Sequence, residues 1–215
     1  MLKYIIPKGK FIIMKQLDKK FYNSDTLLVA NDLIGKYLVR KYNNEYIVGI
    51  ITETEAYIGA IDKACHAYGG KKTKRTQTLY CKGGICYVYF IYGMYYCMNV
   101  VTEAEGVAAA VLLRSVEIIE GNELVSKLRY GKKFDELNVY QKNNISNGPG
   151  KLCKAMAITK EENEKSLFSY EIFITDSWKT NKINPFEIET GPRIGINYSE
   201  EAVDFPWRFC MKKIL

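Results

Sequence analysis

Three short stretches of the chain carry side chains that could do chemistry together. In the first, Glu-Thr-Glu-Ala-Tyr (53–57), the two-residue period of a strand places Glu53, Glu55 and Tyr57 on one face. A carboxylate beside an aromatic ring can have a raised pKa and accept a proton as a general base. An exposed edge strand with its glutamates in water is the alternative interpretation, and this fragment alone leaves both open.

The second stretch is the densest aromatic run of the chain, YVYFIYGMYY at residues 87–96. Strand alternation predicts that Tyr87 and Tyr89 share a face, and that Tyr92 lies on the other face, beside a turn at Gly93. A tyrosine-rich core strand would explain the run. Aromatic faces beside a cationic loop are also what stacks on nucleobases.

That cationic loop is the third stretch, with four cations in five residues: Lys71, Lys72, Lys74 and Arg75. The net charge is +7, with 31 Lys and Arg against 24 Asp and Glu. Such a balance favours a polyanionic partner such as nucleic acid, an anionic membrane surface or an acidic protein. A solvated loop that binds nothing is the alternative.

The only histidine is His66, within Ala-Cys-His-Ala-Tyr-Gly-Gly (64–70), and none of the six cysteines forms a C-x-x-C pair. This composition argues against sites built from paired imidazoles and against the usual four-ligand zinc patterns. The sequence also lacks the G-x-S-x-G motif of a serine hydrolase. We expect buried free thiols, as in a reducing compartment.

These stretches must be positioned by a mixture of strands and helices. Apolar patterning and turn residues predict a helix over 26–34, a hairpin turning at Asn43–Asn44, and β-rich blocks at 86–101 and 107–119. Further helices are predicted at 122–130 and 151–158, and further strands at 172–175 and 193–197. Because strands do not alternate regularly with helices, the predicted fold is α+β: a single domain around a curved, largely antiparallel, barrel-like sheet with flanking helices.

The chain is long enough for one domain with a good core. Residues 1–13 are interpreted as an N-terminal extension, ordered or disordered, and residues 14–215 as the domain. No apolar stretch is long enough to span a bilayer, and the N-terminus resembles no signal peptide. We therefore expect a cytoplasmic protein without membrane contact, associated with the nucleoid if the source is bacterial.

A carboxylate, a stacking surface and a basic loop are together what an enzyme needs to act on a nucleobase outside the double helix of a nucleic acid. The motifs around them resemble the alkyladenine (3-methyladenine) DNA glycosylase family. The motifs that carry the resemblance occur in family order, between about Leu17 and Phe209: ETEAYIG (53–59), ACHAYGG (64–70), YVYFIYGMYYCMN (87–99), VLLR (111–114) and NGPGKL (147–152).

The resemblance implies a monofunctional enzyme of base excision repair that acts on damaged purines in double-stranded DNA. It implies that Glu55 activates the attacking water, and that Arg114 holds this water together with a backbone carbonyl near Ile194. The remaining roles are base binding by Tyr57, His66, Tyr89 and Asn99, intercalation by Tyr92, and phosphate contacts by Lys71, Lys72, Lys74 and Arg75.

No metal and no organic cofactor is implied, and we expect a monomer. The substrates would be alkylated purines, with deaminated and etheno purines left open. The basic loop departs from the family, since it lacks a proline and one arginine common there, although its positive charge is retained. A lyase acting through a lysine Schiff base, a metal-dependent nuclease and a non-catalytic binding module are the rival interpretations.

Overall fold

The computed structural model describes residues 2–5, 11–179 and 183–214. The strands in these ranges are β1 Leu2–Ile5, β2 Phe11–Met14, β3 Tyr37–Tyr42, β4 Glu45–Ile58, β5 Cys86–Ile91, β6 Tyr95–Val101, β7 Ala109–Glu120, β8 Ile172–Thr175, β9 Phe186–Gly191 and β10 Arg208–Lys213. The α-helices are α1 Lys19–Tyr22, α2 Thr26–Asp32, α3 Asn122–Tyr130, α4 Val139–Asn143 and α5 Pro149–Ala155.

Two tight hairpins are set by residues in the left-handed backbone region. Asn43 and Asn44, at φ 47° and 64°, turn β3 back onto β4, as their sequence predicts. Tyr92 and Gly93, at φ 51° and 67°, lie in the turn between β5 and β6. The second turn is less favourable in backbone conformational energy, because a bulky residue such as Tyr92 rarely adopts positive φ.

The main sheet has eight strands, and β4 is its central element. The strand order is β5-β6-β7-β4-β10-β9, and every pair in it is antiparallel. The first half of β4 pairs with β3, which in turn pairs with β8, whereas residues 53–55 pair with β10. Register shifts between β4 and β7 around Glu53 mark a β-bulge where the partner strand of β4 changes.

The sheet is not closed into a barrel. Strands β5 and β9 lie at opposite ends of the pairing path, and no pairing between them is present in the described residues. The barrel-like part of the predicted fold class is therefore wrong, whereas the mixed, largely antiparallel single domain with flanking helices is confirmed. Alternation within strands shows which face is buried, but closure depends on which distant strands meet.

Local capping explains the helices that the sequence predicts. The Asp25 carboxylate accepts hydrogen bonds from the amides of Leu27 and Leu28 at the start of α2, and Gly35, at φ 84°, follows its end. Helix α3 spans the predicted residues, with Gly121 as its N-cap. Helix α5 starts with Pro149 at its first turn, two residues before the predicted start.

The predicted strand at 193–197 is wrong, since these residues form a loop after β9. Its alternating isoleucines resemble a strand, but Arg193 is drawn into a buried ion pair with Asp62 instead. The strands β9 and β10 were not predicted. Strand β9 is mostly exposed at the end of the sheet, so its pattern gives little periodic signal.

Three apolar clusters lie among the described residues; one joins β3, β4 and β8 around Phe173 and Trp178, and the other two position the helices and the site. The larger one includes Val29, Met98, Leu113, Leu152 and Phe209, and packs helices α2, α3 and α5 on the sheet. The smaller one lies beneath the aromatic run, and its buried members are Cys65, Ala67, Leu79, Tyr87, Val101, Ala108 and Ala110. Two partly buried rings that pack against the smaller cluster, Tyr57 and Tyr89, line the candidate site.

Three further predictions concern the N-terminal residues, the cysteines and membrane-spanning segments. The predicted N-terminal extension, residues 1–13, lies partly outside the described residues, and its separation from the domain stays a prediction. None of the six cysteines, all in described positions, forms a disulfide. No helix in the described ranges is long and apolar enough to cross a membrane.

Candidate active site

The site is built around the carboxylate of Glu55, which β4 places at its pairing with β7 and β10. Glu55 lies opposite Leu112 of β7 and Arg208 of β10, and it is completely buried. The amide of Ile194 donates to Oε1 at 2.7 Å, and the Tyr57 hydroxyl donates to Oε2 at 2.8 Å. A buried carboxylate needs such partners, because an unpaired one would be very costly.

The cationic partner of Glu55 is Arg114 on β7. Its Nη1 lies 3.3 Å from Glu55 Oε2, and its Nε donates to Glu53 Oε1 at 3.1 Å. Arg208 also donates to Glu53 Oε1, at 3.1 Å. The predicted common face of Glu53, Glu55 and Tyr57 is confirmed by these contacts, and the exposed-edge interpretation of residues 53–57 is wrong.

Opposing electrostatic effects act on the pKa of Glu55, the candidate proton acceptor. Burial raises the pKa of Glu55, while Arg114, the Ile194 amide and the Tyr57 hydroxyl each lower it. Burial also raises the pKa of Tyr57 well above its usual range, so its hydroxyl stays protonated and can donate to Glu55. The site therefore holds one carboxylate whose protonation is set by a balance of opposing effects.

Beside this carboxylate lies a cavity of about 360 Å³, which is enough for a purine base. Its wall includes six of the residues predicted from the sequence: Tyr57, His66, Tyr89, Tyr92, Asn99 and Arg114. Residues that were not predicted also line it, among them Tyr87, Cys97, Pro149 and Tyr198. The structure thus brings together residues from β4, β5, β6, β7 and three loops.

The inner wall is aromatic. The rings of His66 and Tyr89 meet edge to face with centroids 4.6 Å apart, and those of Tyr87 and Tyr89 are 5.3 Å apart. Tyr87 and Tyr89 therefore share a face, as predicted. Asn99 is buried and donates from Nδ2 to the Tyr87 carbonyl oxygen at 3.1 Å, which fixes its amide at the cavity wall.

The rim carries exposed apolar side chains. Tyr92 is 82% exposed at the tip of the β5–β6 hairpin, and Met94 and Ile194 are exposed as well. Large exposed apolar groups around a cavity mark a contact surface rather than a core. Tyr92 lines the cavity although strand alternation places it on the other face, because the strand ends at Ile91 and the turn redirects the side chain.

The predicted phosphate-binding residues all lie in an exposed loop, but their side-chain contacts differ. Lys71, Lys72 and Lys74 are exposed at the surface. Arg75 is exposed too, yet its guanidinium lies 5.2 Å from the centroid of the Tyr89 ring. Whether any of the four contacts a phosphate stays a prediction.

Sequence reasoning missed the pair that anchors the loop carrying Ile194. Arg193 and Asp62 are both completely buried and form a bidentate ion pair. Arg193 also donates to the Ala56 carbonyl oxygen at 2.8 Å, and its guanidinium lies between the rings of Tyr57 and Trp207. No local pattern pairs Asp62 with a residue 131 positions away, so only the fold reveals this contact.

Comparisons with known proteins agree with this geometry. A family model described as methylpurine-DNA glycosylase matches residues 20–214. A protein of Clostridium perfringens (strain SM101) is 54% identical over 198 residues, which cover 92% of this chain and 96% of the relative. A protein of Clostridium botulinum (strain Hall) is 50% identical over the same shares, and both carry the name "Putative 3-methyladenine DNA glycosylase".

The fold, the site and these matches define a DNA glycosylase, which is a hydrolase of N-glycosyl bonds in base excision repair. Its substrate is therefore DNA that contains damaged bases. The chain belongs to the methylpurine-DNA glycosylase family, and the resemblance found in its motifs is confirmed.

Proposed function

We propose that this protein flips a damaged purine out of duplex DNA and hydrolyses its N-glycosidic bond with water activated by Glu55. The observation that carries the proposal is a buried carboxylate, held by Arg114 and Tyr57, beside an aromatic cavity of purine size. A non-catalytic binding module would have no need of such a carboxylate. The other site residues have, in this proposal, the roles that the family resemblance implies.

The substrates proposed are alkylated purines, including the 3-methyladenine in the names of the relatives. Such bases carry positive charge, and the π faces of Tyr57 and Tyr89 attract a cation by about 0.5–2 kcal/mol per contact. Etheno and deaminated purines are included in the proposal because stacking tolerates many ring systems. As neutral bases, they depart more readily when the purine ring gains a proton.

In the proposed reaction Glu55 takes a proton from water while the oxygen bonds to the anomeric carbon. The electron pair of the broken bond leaves with the base, and the negative charge of Glu55 stabilises the oxocarbenium-like sugar. Oε1 of Glu55 has one protein donor, the Ile194 amide, so its second lone pair can accept a hydrogen bond from the water. Arg114 and the backbone carbonyl near Ile194 are proposed to hold it.

DNA binding is proposed to use the rim and the basic loop. Tyr92 fills the space left by the flipped base, and Lys71, Lys72, Lys74 and Arg75 provide positive charge for the phosphate backbone. Asn99 lies against the bound base and discriminates against the exocyclic amino group of normal guanine. Flipping costs a few kcal/mol and less for a poorly paired base, which adds selectivity.

The proposed enzyme is monofunctional, leaving an abasic site in an intact strand. A lyase would need a lysine amine in the cavity, and among the described residues no lysine lines it. The mechanism requires no metal or organic cofactor. Because one chain supplies every wall of the cavity, we further propose a monomer that acts in the cytoplasm on DNA and does not contact membranes.

The decisive experiment compares Glu55→Gln with the wild-type protein on duplexes containing 3-methyladenine, 7-methylguanine, hypoxanthine or ethenoadenine, scoring free base and strand scission separately. Gln keeps the size of the side chain but cannot accept the proton, so base release should fall by about 10²–10⁴-fold while lesion binding is retained. Glu117→Gln, which alters an exposed carboxylate of β7, is the matched control and should leave release unchanged.

Three results would contradict the proposal. Scission without added alkali, or trapping of the protein on DNA by borohydride, would indicate a lyase. Loss of activity on metal chelation would indicate metal-dependent chemistry. Base release by Glu55→Gln at the wild-type rate would show that another group activates the water.

A further inference from the structure

Arg75 differs from the rest of the basic loop because its guanidinium turns toward His66. Its Nη2 lies 3.3 Å from His66 Nε2, and it lies over the ring of Tyr89. On the opposite side of the imidazole, Nδ1 lies 2.9 Å from the Tyr87 hydroxyl. The imidazole, which forms part of the cavity wall, is thus held at both nitrogens.

The chemistry of a guanidinium fixes the arrangement of protons in this chain of contacts. Arg75 can only donate, so His66 Nε2 must present its lone pair. The single proton of the neutral ring then lies on Nδ1, where it can be donated to the Tyr87 oxygen. A second proton on Nε2 would point at the guanidinium and break this contact.

We infer that Arg75 is a positioning residue that holds His66 as the neutral Nδ1–H tautomer, so that the imidazole itself presents no charge to the cavity. The inference rests on the proposed function, because it assumes that the cavity receives the flipped purine. An imidazolium at this place would repel an alkylated purine, which is itself a cation. Arg75 thereby acts on substrate selection through His66, in addition to any contact with phosphate.

The surroundings of His66 support a neutral ring. Burial, followed by the charge of Arg75, lowers the pKa of His66 to about 4. The other titratable groups that face or adjoin the ring are Tyr87, Tyr89 and Cys65, and burial raises the pKa of each of them, so they stay uncharged. In the part of the chain that the structure describes, no carboxylate bonds to the imidazole to oppose this effect.

Because His66 is the only histidine, its ring nitrogens can be observed without ambiguity by ¹⁵N NMR. Long-range ¹H–¹⁵N correlation of the labelled wild-type protein should show the Nδ1–H tautomer and no titration down to about pH 5. In Arg75→Gln the Nε2 partner loses its charge, so the pKa of His66 should rise and the second tautomer should appear. Lys74→Gln removes one charge from the same loop and should change neither property.

A second variant tests the contact at the other ring nitrogen of His66, Nδ1. Tyr87→Phe removes the acceptor of the Nδ1 proton and should also mix the tautomers. The inference is overturned if wild-type His66 carries its proton on Nε2, or if Arg75→Gln has the same tautomer and titration as the wild type. It is equally overturned if Lys74→Gln reproduces the effect of Arg75→Gln.

Activity gives an independent readout. For Arg75→Gln, the ratio of 7-methylguanine release to hypoxanthine release should fall further than in the wild type as the pH is lowered from 8 to 5, because an imidazolium repels 7-methylguanine on binding, whereas hypoxanthine binds as a neutral base. The same ratio in Lys74→Gln should follow the wild type, and a parallel course in all three proteins would overturn the inference. If the wild-type protein releases neither base, the proposed function fails, whereas the NMR result still decides the tautomer.

Discussion

At the scale of single residues, several opposing effects control the protonation of the Glu55 carboxylate. Burial favours its neutral form, whereas Arg114, the Ile194 amide and the Tyr57 hydroxyl favour its charged form. The charged form is the one that can accept a proton from water. The rate of base release should therefore fall on the acid side, as the pH passes through the raised pKa of Glu55.

Replacing Arg114 with Gln should move this acid limb to higher pH. The substitution removes the charge that lowers the pKa of Glu55 most strongly, so the carboxylate becomes protonated at a higher pH than in the wild type. Single-turnover release of 7-methylguanine from about pH 5 to pH 8 measures the midpoint in both proteins. An unchanged midpoint in a folded Arg114→Gln protein would show that another group controls the acid limb.

At the scale of elements, the β5–β6 hairpin and the loop after β9 bring the remaining groups to the cavity. The hairpin presents Tyr92 on a strained turn, and the loop presents the Ile194 amide to Glu55. Strain at positive φ persists when its surroundings maintain it, and it is found at functional sites. The loop is anchored by the Arg193–Asp62 pair, neither member of which lines the cavity.

Tyr92→Ala should leave the fold intact and weaken lesion recognition. The side chain is 82% exposed, so its loss removes little buried surface, and we expect a change of less than about 0.5 kcal/mol in the free energy of unfolding. Affinity for a lesion-containing duplex should fall, since nothing fills the space of the flipped base. Tyr140→Ala, at another exposed tyrosine, serves as the control in both the melting and the binding assay.

Asp62→Ala should destabilise the protein strongly, because it leaves the buried guanidinium of Arg193 without its counter-charge. Breaking a buried pair in this way costs about 3–5 kcal/mol, measured by denaturant unfolding. Glu200→Gln alters an exposed pair with Lys63 and should destabilise the protein far less than Asp62→Ala, because water screens the two charges. Equal stabilities of the two variants would show that the Arg193–Asp62 pair does not anchor the loop.

At the scale of the whole molecule, the net charge of +7 favours binding to any duplex, whatever its sequence. Each lysine that neutralises a phosphate contributes about 0.9 to the slope of log K against log salt concentration. Changing Lys71, Lys72 and Lys74 to Gln together should reduce that slope by about one for each phosphate contact. An unchanged slope in an electrophoretic or fluorescence titration would place the phosphate contacts elsewhere on the surface.

Much of the local structure could be read directly from the chain. Asn43–Asn44 predicts its hairpin because asparagine tolerates positive φ, and Asp25 predicts the start of α2 because its carboxylate caps free amides. Strand alternation places Glu53, Glu55 and Tyr57 together for an equally local reason. The motif order also indicates the family, which the comparisons confirm.

The tertiary structure alone decided how distant segments meet. It left the sheet open rather than barrel-like, made residues 193–197 a loop, and placed the Ile194 amide on Glu55. It also turned Arg75 toward His66 and paired Arg193 with Asp62. Local patterns record propensities over a few residues, whereas these contacts depend on the free energy of burying charges and rings from far apart in the chain.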